Sequence, residues 1–192
     1  NFGTMDLSNA IFDKADLSYA DFNDATLDEA RFTRANLSHV DLAGKDLKGS
    51  ILVGVDLSDT KLTGADLSFA NLSDATLSEN DLTGTKLVGA NLQHANLEGA
   101  NVKNADFTSA DFAYANLVGT NLQDAKVNDA TFEGVKFKGF DISFGSMPEI
   151  DFRKSDLSGA ILTNADLSEM DLSFANLSGQ DLSGHDITNT IL

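Results

Sequence analysis

A bulky apolar residue recurs at every fifth position of this chain, from Phe2 to Leu192, without a single change of register. These central positions number 39 and hold only Leu, Phe, Val, Ile or Met. Two residues before each of them the usual residue is Ala, found at 20 of the 38 positions from 5 to 190. Asp or Asn commonly lies between the two, as in Ala65–Ser68. No other feature constrains the fold as strongly.

The five-residue period is incompatible with a helix or an unbroken strand. A helix turns about 500° in five residues, so its apolar stripe would spiral around the surface and face no core. Side chains of a strand alternate, so a five-residue step would place successive leucines on opposite faces. The pattern therefore predicts a solenoid whose backbone turns a corner every five residues and returns each central residue to the interior.

The tandem motif Ala-(Asp/Asn)-Leu-x-x resembles the repeat of the pentapeptide-repeat proteins. Gly89–Leu97 shows two copies in succession, and the pattern covers the whole chain. The resemblance implies an all-β fold, a right-handed quadrilateral β-helix (a β-solenoid) with four pentapeptides per coil. The 39 units would then form just under ten coils. At a spacing of about 4.8 Å between coils, the rod would be about 45–50 Å long.

Length and composition are consistent with one domain. A chain of 192 residues lies within single-domain size, and the unbroken register predicts one β-helix over 1–192. No apolar run is long enough to span a membrane and no signal segment opens the chain, so we expect a soluble cytoplasmic protein without membrane contact. The chain has no cysteine, which excludes disulfides and thiolate metal sites. Because it opens and closes in mid-repeat, we expect it to be part of a longer protein.

Central phenylalanines are expected to fill the core and to stack between coils. With four units per coil, the stacked sets are Phe2 with Phe22, Phe12 with Phe32, and Phe112 with Phe132 and Phe152.

Polar residues interrupt the alanine column, and a buried polar group needs a hydrogen-bond partner. The interruptions are Lys45, Asn80, Gln180 and His185. We expect Lys45 to turn its ammonium outward or to pair with a nearby Asp.

The largest departure from the repeat is the coil around 135–155. Five successive alanine positions are replaced there, and the coil contains Pro148, the only proline. Since Pro has no N–H to donate, we expect this coil to bulge, bend or lose pairing. Such an irregularity is either a partner site or a packing defect.

The chain is strongly acidic, with 30 acidic and 13 basic residues and a net charge of −17, which argues against direct binding of nucleic acid. With four units per coil, the units centred on Leu7 and every twentieth residue after it form one side of the rod, which we name the acidic face. It holds 11 acidic and 4 basic residues, a net of −7. The side centred on Phe12 and Phe32 is nearly balanced, at 6 and 5.

Two interpretations of the acidity remain open. In the first, Asp before Leu is a turn residue of the repeat, and the rod is a structural or protein-binding module that is acidic by construction. In the second, implied by the family resemblance, the rod mimics DNA and binds a type II topoisomerase such as gyrase, as quinolone-resistance pentapeptide proteins are thought to do. Lys86 and Lys126 interrupt the acidic face and count against the second. The candidate carboxylates are Asp6, Asp28, Glu29, Asp46, Asp66, Asp106, Asp129, Glu149, Asp166, Glu169 and Asp186.

Catalysis has little support in the sequence. His39, His94 and His185 lie on three different faces, so no two of them can share a substrate or a metal. We expect the carboxylates to be solvated, with nothing to shift their pKa toward acid–base work. The sequence therefore predicts a protein that is not an enzyme and has no cofactor or metal.

Outward-facing aromatic residues are further candidates for contact with a partner. Tyr19, Phe69, Tyr114, Phe144 and Phe174 fall at corner positions, and we single out Tyr114, Phe144 and Phe174 as docking candidates. Both rod ends should expose unpaired backbone and open core, which flanking sequence, another domain or an end-to-end homodimer would cover. The sequence thus predicts a structural or protein-binding module, with topoisomerase binding as the alternative.

Overall fold

The computed structural model describes residues 1–122, 124–137, 152–163 and 165–192. Within these residues it contains neither a helix nor an extended strand, and the regular elements are single-residue parallel bridges, each followed by a two-residue turn. In the unit centred on Leu67, Asp66 forms the bridge and the N–H of Ala70 donates to the Leu67 carbonyl at 3.0 Å. The sharp turn after each central residue is what redirects the chain every five residues.

The turn explains why the second residue after the central one is so often glycine. This residue has a positive φ, for example 69° at Gly64 and 67° at Gly84. A positive φ at the third turn residue, with the fourth N–H bonded to the first carbonyl, is the geometry of a type II turn. In the described chain 18 residues other than glycine also adopt it, including Tyr19, Phe69 and Tyr114. Bulky side chains are strained in this region.

Bridges join residues that are 20 positions apart, and this spacing defines the coil. Asp46 pairs with Asp66, and Asp66 pairs with Lys86, both in parallel. The N–H of Leu67 donates to the carbonyl of Lys86 at 2.7 Å, and the N–H of Lys86 donates to that of Ala65 at 2.9 Å. A coil of 20 residues holds four five-residue units, so the fold is a β-solenoid whose successive coils are hydrogen-bonded along each side.

The interior is a continuous stack of central residues and alanines. Central side chains such as Leu67 and Leu92 have no exposed surface. The predicted phenylalanine stacks are confirmed: ring centroids lie 4.7 Å apart for Phe2 and Phe22, 5.3 Å for Phe12 and Phe32, 4.9 Å for Phe112 and Phe132, and 5.8 Å for Phe132 and Phe152. At the first and last coils the central residues are only partly buried, and Leu192 is 67% exposed. The core is therefore open at both ends of the structure.

Several polar residues in the alanine column bond to the backbone of the preceding coil, whereas Thr85 and Ser155 donate to the carbonyl three residues earlier in their own coil. Asn80 is 3% exposed, and its Nδ2 donates to the carbonyls of Leu57 at 2.6 Å and Thr60 at 2.8 Å. Equivalent bonds reach the carbonyl 23 residues earlier from Thr60, Thr120, Gln180 and Thr190, and His185 contacts the one at Leu162. The ammonium of Lys45 donates to the carbonyls of Asn23 and Ala25 in the preceding coil, and not to an Asp. Most buried polar side chains in this column therefore donate to main-chain carbonyls, although the buried hydroxyl of Ser50 has no hydrogen-bond partner among the described residues.

Most of the coil around 135–155, including Pro148, lies outside the described residues. The residues that flank the gap keep the register: Lys136 bridges Asp156, and the side chains of Val135 and Ser155 are buried. The predicted bulge remains a prediction. Within the described part of the chain, no helix is long and apolar enough to cross a membrane.

Candidate interaction surfaces

The Asp or Asn before each central residue holds the turn that follows it. The N–H of Ser8 donates to Asp6 at 3.0 Å, and that of Ser168 donates to Asp166 at 3.0 Å. Where the turn residue carries a hydroxyl, the hydroxyl often donates as well, as Thr188 does to Asp186 at 2.6 Å. In each case the side-chain oxygen accepts a hydrogen bond from the turn. Asp and Asn both offer such an oxygen, so the repeat selects them for a local structural reason.

These hydrogen bonds lower the pKa of many of the turn carboxylates, which is a shift away from acid–base work. Bonds from the Ser8 hydroxyl and N–H lower the pKa of Asp6, and bonds from Thr188 lower the pKa of Asp186. The same direction applies to the pKa of Asp16, Asp41, Asp66, Asp81, Asp106, Asp156 and Asp181. The shift keeps these groups ionised at neutral pH, which suits turn stabilisation and not proton transfer.

Lysines neutralise the middle of the acidic face. Lys48 lies 3.1 Å from Asp46 and 3.3 Å from Asp66. Lys86 lies 3.3 Å from Asp66 in the coil before it, and Lys126 lies 3.0 Å from Asp106. The sequence predicted that lysines interrupt this face, and the structure shows that they pair with its own carboxylates. The candidate column is thus not a continuous row of unpaired charges.

Exposed carboxylates remain toward the two ends of the acidic face. At the amino end, Asp28 and Glu29 are exposed, and partial desolvation together with the negative charge of Asp46 raises the pKa of Asp28. Toward the other end, Asp129 is exposed, and Glu169 accepts from the Asn189 amide at 2.9 Å. Asp166 and Asp186 serve turns, as described above, and Glu149 lies outside the described residues. The structure therefore divides the predicted column into two acidic groups separated by a neutral centre.

The aromatic candidates differ in their surroundings. The Tyr114 ring stacks on His94 at 5.4 Å, its hydroxyl donates to Glu133 at 3.0 Å, and it remains 48% exposed. Phe174 is 86% exposed. It lies on the same side of the rod as Tyr114, three coils later, as the 20-residue period predicts. Phe144 lies outside the described residues.

Phe69 is a surface residue whose importance the sequence did not reveal. It lies at the middle of the acidic face and is 69% exposed. A methyl group placed on Gly89, one coil later, would come within 2.8 Å of its ring, so Phe69 lies directly over the bare backbone of Gly89. Counting in steps of 20 residues from Phe69 to the lysine-neutralised carboxylates could have located this arrangement.

The described residues contain no group of side chains suited to hold a metal ion, since no three of their His, Asp or Glu side chains are placed so as to bind one. His39 stacks on Tyr19 at 4.6 Å, and the Nε2 of His185 lies 2.8 Å from the Leu162 carbonyl. These histidines have contacts that serve the fold.

Comparisons with known proteins agree with this architecture. The family model for pentapeptide repeats matches eight copies over residues 1–29, 30–68, 70–108, 103–139 and 150–189. HetL, a pentapeptide repeat protein involved in heterocyst differentiation regulation in the cyanobacterium Nostoc sp. strain PCC 7120, is 30% identical, with 94% of this chain and 92% of that chain covered and a TM-score of 0.56. Trypsin-treated QnrB1, a plasmid-mediated fluoroquinolone resistance protein, is 20% identical over 94% of this chain and 87% of that chain, with a TM-score of 0.51.

A search of curated proteins returned no significant match. The likeness to QnrB1 concerns the fold alone. The matched repeats, the turn after every central residue and the pairing of residues 20 apart lead to one conclusion, which is that this chain belongs to the pentapeptide-repeat family.

Proposed function

We propose that this protein is a non-enzymatic rod that acts as a structural or protein-binding module. In this proposal the solenoid is right-handed and quadrilateral, with just under ten coils formed by its 39 units. The observation that carries the proposal is that some outward side chains stabilise turns, whereas others have no structural task and remain exposed. Asp and Asn residues before central residues, such as Asp6 and Asp166, are bound within their own turns, whereas Phe69, Phe174 and the end groups of the acidic face stay exposed.

The carboxylates support a role in binding rather than in chemistry. A general acid or base works best with a pKa near the operating pH. Turn hydrogen bonds lower the pKa of Asp6, Asp81 and Asp186, which moves it further from neutral pH. The likeness to HetL, a protein involved in the regulation of differentiation, fits a regulatory binding role.

Affinity capture from the native host, followed by quantitative mass spectrometry, tests this proposal. We expect a partner retained in stoichiometric amount by the wild-type rod. A matched variant with Asp28→Asn, Glu29→Gln, Asp129→Asn and Glu169→Gln should retain less of it if the acidic groups take part. Failure to retain any partner at 50 mM salt, or catalytic turnover by the purified protein, would contradict the proposal.

Topoisomerase binding by DNA mimicry is the second candidate, and charge density favours it. A net charge of −17 over about 45–50 Å places one charge per about 2.8 Å, against one per about 1.7 Å in duplex DNA. The neutral centre formed by Lys48, Lys86 and Lys126 counts against a phosphate-like row. An end-to-end homodimer, which would cover the open terminal coils, belongs to the same proposal.

A gyrase supercoiling assay separates the two candidates. Inhibition or quinolone protection at low micromolar rod, weakening steeply with salt, would favour mimicry, because contacts with a phosphate-binding groove are screened. No effect up to tens of micromolar would exclude it. Light scattering on the same samples would measure the oligomeric state.

A further inference from the structure

Phe69 occupies a position where glycine would be less strained. Its φ is 61° and its side chain is 69% exposed. A bulky residue in the left-handed region is strained, and an exposed ring gains little from the hydrophobic effect. The equivalent residues in the neighbouring coils are Gly49 and Gly89. The fold therefore has no need of an aromatic ring at this position.

The other exposed aromatics in the same conformation have different surroundings. Tyr19 stacks on His39 at 4.6 Å, and Tyr114 stacks on His94 and bonds to Glu133. Phe174 lies near the end of the rod, on a different side. Phe69 is the aromatic that projects from the acidic face in the middle of the described coils.

The row of second turn residues along this face has an ordered sequence. Between Glu29 and Asp129 it reads Glu29, Gly49, Phe69, Gly89, Ser109 and Asp129, with one residue per coil and positive φ at each. At about 4.8 Å per coil, Glu29 lies about 10 Å from Phe69 on one side and Asp129 about 14 Å on the other. We name this row the Phe69 column.

The glycines of the Phe69 column leave room beside the ring. Glu29 extends over Gly49, since a methyl group there would lie 3.2 Å from its Cγ, and Phe69 extends over Gly89 in the same direction. The half-buried Val88 lies in the next coil, where its carbonyl accepts from the Phe69 N–H at 2.8 Å. The result is an apolar ledge with no large side chain at its glycines.

Charge is arranged around this ledge like the rim of an interface. Close to Phe69, Lys48 and Lys86 pair with Asp46 and Asp66, so the centre is neutral. The exposed carboxylates of the column are at its two ends. An apolar centre with charged groups at the edge is the common anatomy of a protein-binding surface.

We propose that the Phe69 column binds an extended basic segment of a partner protein. An apolar side chain of the segment packs against Phe69, and a Lys or Arg on each side pairs with Glu29 and Asp129. An extended chain advances about 3.3 Å per residue, so the basic residues fall about three positions to one side and four to the other. This inference rests on the protein-binding function proposed above and names its surface and its class of partner.

Two fluorescein-labelled synthetic peptides test the inference by anisotropy at 50 mM salt. The first is Lys-Ser-Ser-Trp-Ser-Ser-Ser-Lys, and the second has Ser in place of Trp at the same charge. We expect the Trp peptide to bind the wild-type rod about two- to tenfold more tightly, the range that an aromatic pair contributes. Phe69→Gly should abolish this difference and leave Tm unchanged or higher, because it relieves strain. Phe174→Gly, on another side, should preserve the difference.

A second set of measurements tests whether binding requires the carboxylates at both ends of the Phe69 column. Glu29→Gln with Asp129→Asn should weaken both peptides, and a Trp peptide with both lysines adjacent to Trp should lose its advantage. Equal binding of the Trp and Ser peptides to wild type would mean adsorption by charge alone and would overturn the inference, as would a Trp advantage that survives Phe69→Gly. A captured native partner that Phe69→Gly still retains fully would overturn this inference but leave the proposed function standing.

Discussion

At the scale of single residues, the second turn residue does more than permit a positive φ. Its side chain can extend over the same position one coil later, so the size of one residue limits the size of the other. Phe69 lies over Gly89, Tyr114 over Gly134, and a methyl group on Gly134 would lie 2.5 Å from the Tyr114 ring. Some glycines therefore serve a neighbour's side chain as well as their own backbone.

Gly89→Ala and Gly64→Ala separate these two roles. Both residues have positive φ, but a methyl group at Gly64 meets nothing within 4 Å, whereas at Gly89 it meets the Phe69 ring at 2.8 Å. We expect Gly64→Ala to cost about 1–2 kcal/mol for the left-handed conformation and Gly89→Ala to cost more. Urea unfolding measures both. Equal losses, or a Gly89→Ala loss that Phe69→Gly fails to reduce, would contradict the steric account.

Truncation of a central leucine should depend on its place along the rod. Leu92 is fully buried between coils, so Leu92→Ala should cost about 2–5 kcal/mol through lost burial and a cavity. Leu7, in the first coil, is only partly buried, and Leu7→Ala should cost clearly less. Calorimetry compares the two variants. A loss at Leu7 that matches the one at Leu92 would show that the first coil is covered in solution.

At the scale of the five-residue element, the acceptor before the central residue matters more than its charge. Asp81 accepts from the Thr83 N–H at 3.1 Å and from the Asn101 amide at 3.1 Å. Asn91 accepts the equivalent N–H of Gln93 at 3.0 Å without a charge. The high acid content of the chain follows in large part from this turn geometry.

Asp81→Asn and Asp81→Ala test that ranking. Asn keeps the acceptor and loses only the charge, so we expect a smaller loss than for Ala, which leaves the Thr83 N–H without an acceptor and should cost about 0.5–1.5 kcal/mol. Thermal unfolding at neutral pH gives the comparison. If Asn destabilised as much as Ala, the charge rather than the hydrogen bond would be the stabilising feature.

Acid should destabilise the turns. The pKa of Asp6, Asp81, Asp156 and similar turn residues is lowered in the folded state. Their contribution is therefore fully present above the unfolded pKa of about 3.9 and is lost as pH falls through the folded value. The raised pKa of Asp28 acts in the opposite direction. We expect stability to fall steeply below about pH 4, and a Tm that rises on acidification to pH 3 would refute this.

At the scale of the whole molecule, residues 20 apart lie on the same side of the rod. Adding or removing a complete coil therefore does not change which residues share a side. Deletion of residues 165–184 removes one complete coil outside the Phe69 column and keeps every remaining column aligned. Deletion of 97–101 keeps the apolar period but rotates all later coils by one side, which moves Asp129 away from the Phe69 column. We expect both variants to fold, and only the shorter deletion to lose the paired-lysine dependence of peptide binding. Circular dichroism and anisotropy measure the two properties, and equal binding by both variants would disprove the alignment.

Much of the fold was predictable because the same five-residue repeat determines the local turn, the buried residue and the stacking of coils. The period of five required an inward residue and a corner in each unit, and the phenylalanine stacks followed from the family's coil length. The surface was less predictable. Lys45 was expected to face outward or to pair with an Asp. Its ammonium donates instead to main-chain carbonyls in the preceding coil, and this depends on distances between coils that no local pattern contains.

The sequence by itself determined that the chain is a solenoid with a leucine and alanine interior, because no other backbone path returns every fifth side chain to a core. Only the tertiary structure decided which surface charges remain exposed. Lys48, Lys86 and Lys126 are distributed along the chain, yet stacking places each within reach of a carboxylate on its own or a neighbouring coil. Long-range stacking also placed Phe69 over Gly89, since residues 20 apart in sequence become neighbours only when the coils pair.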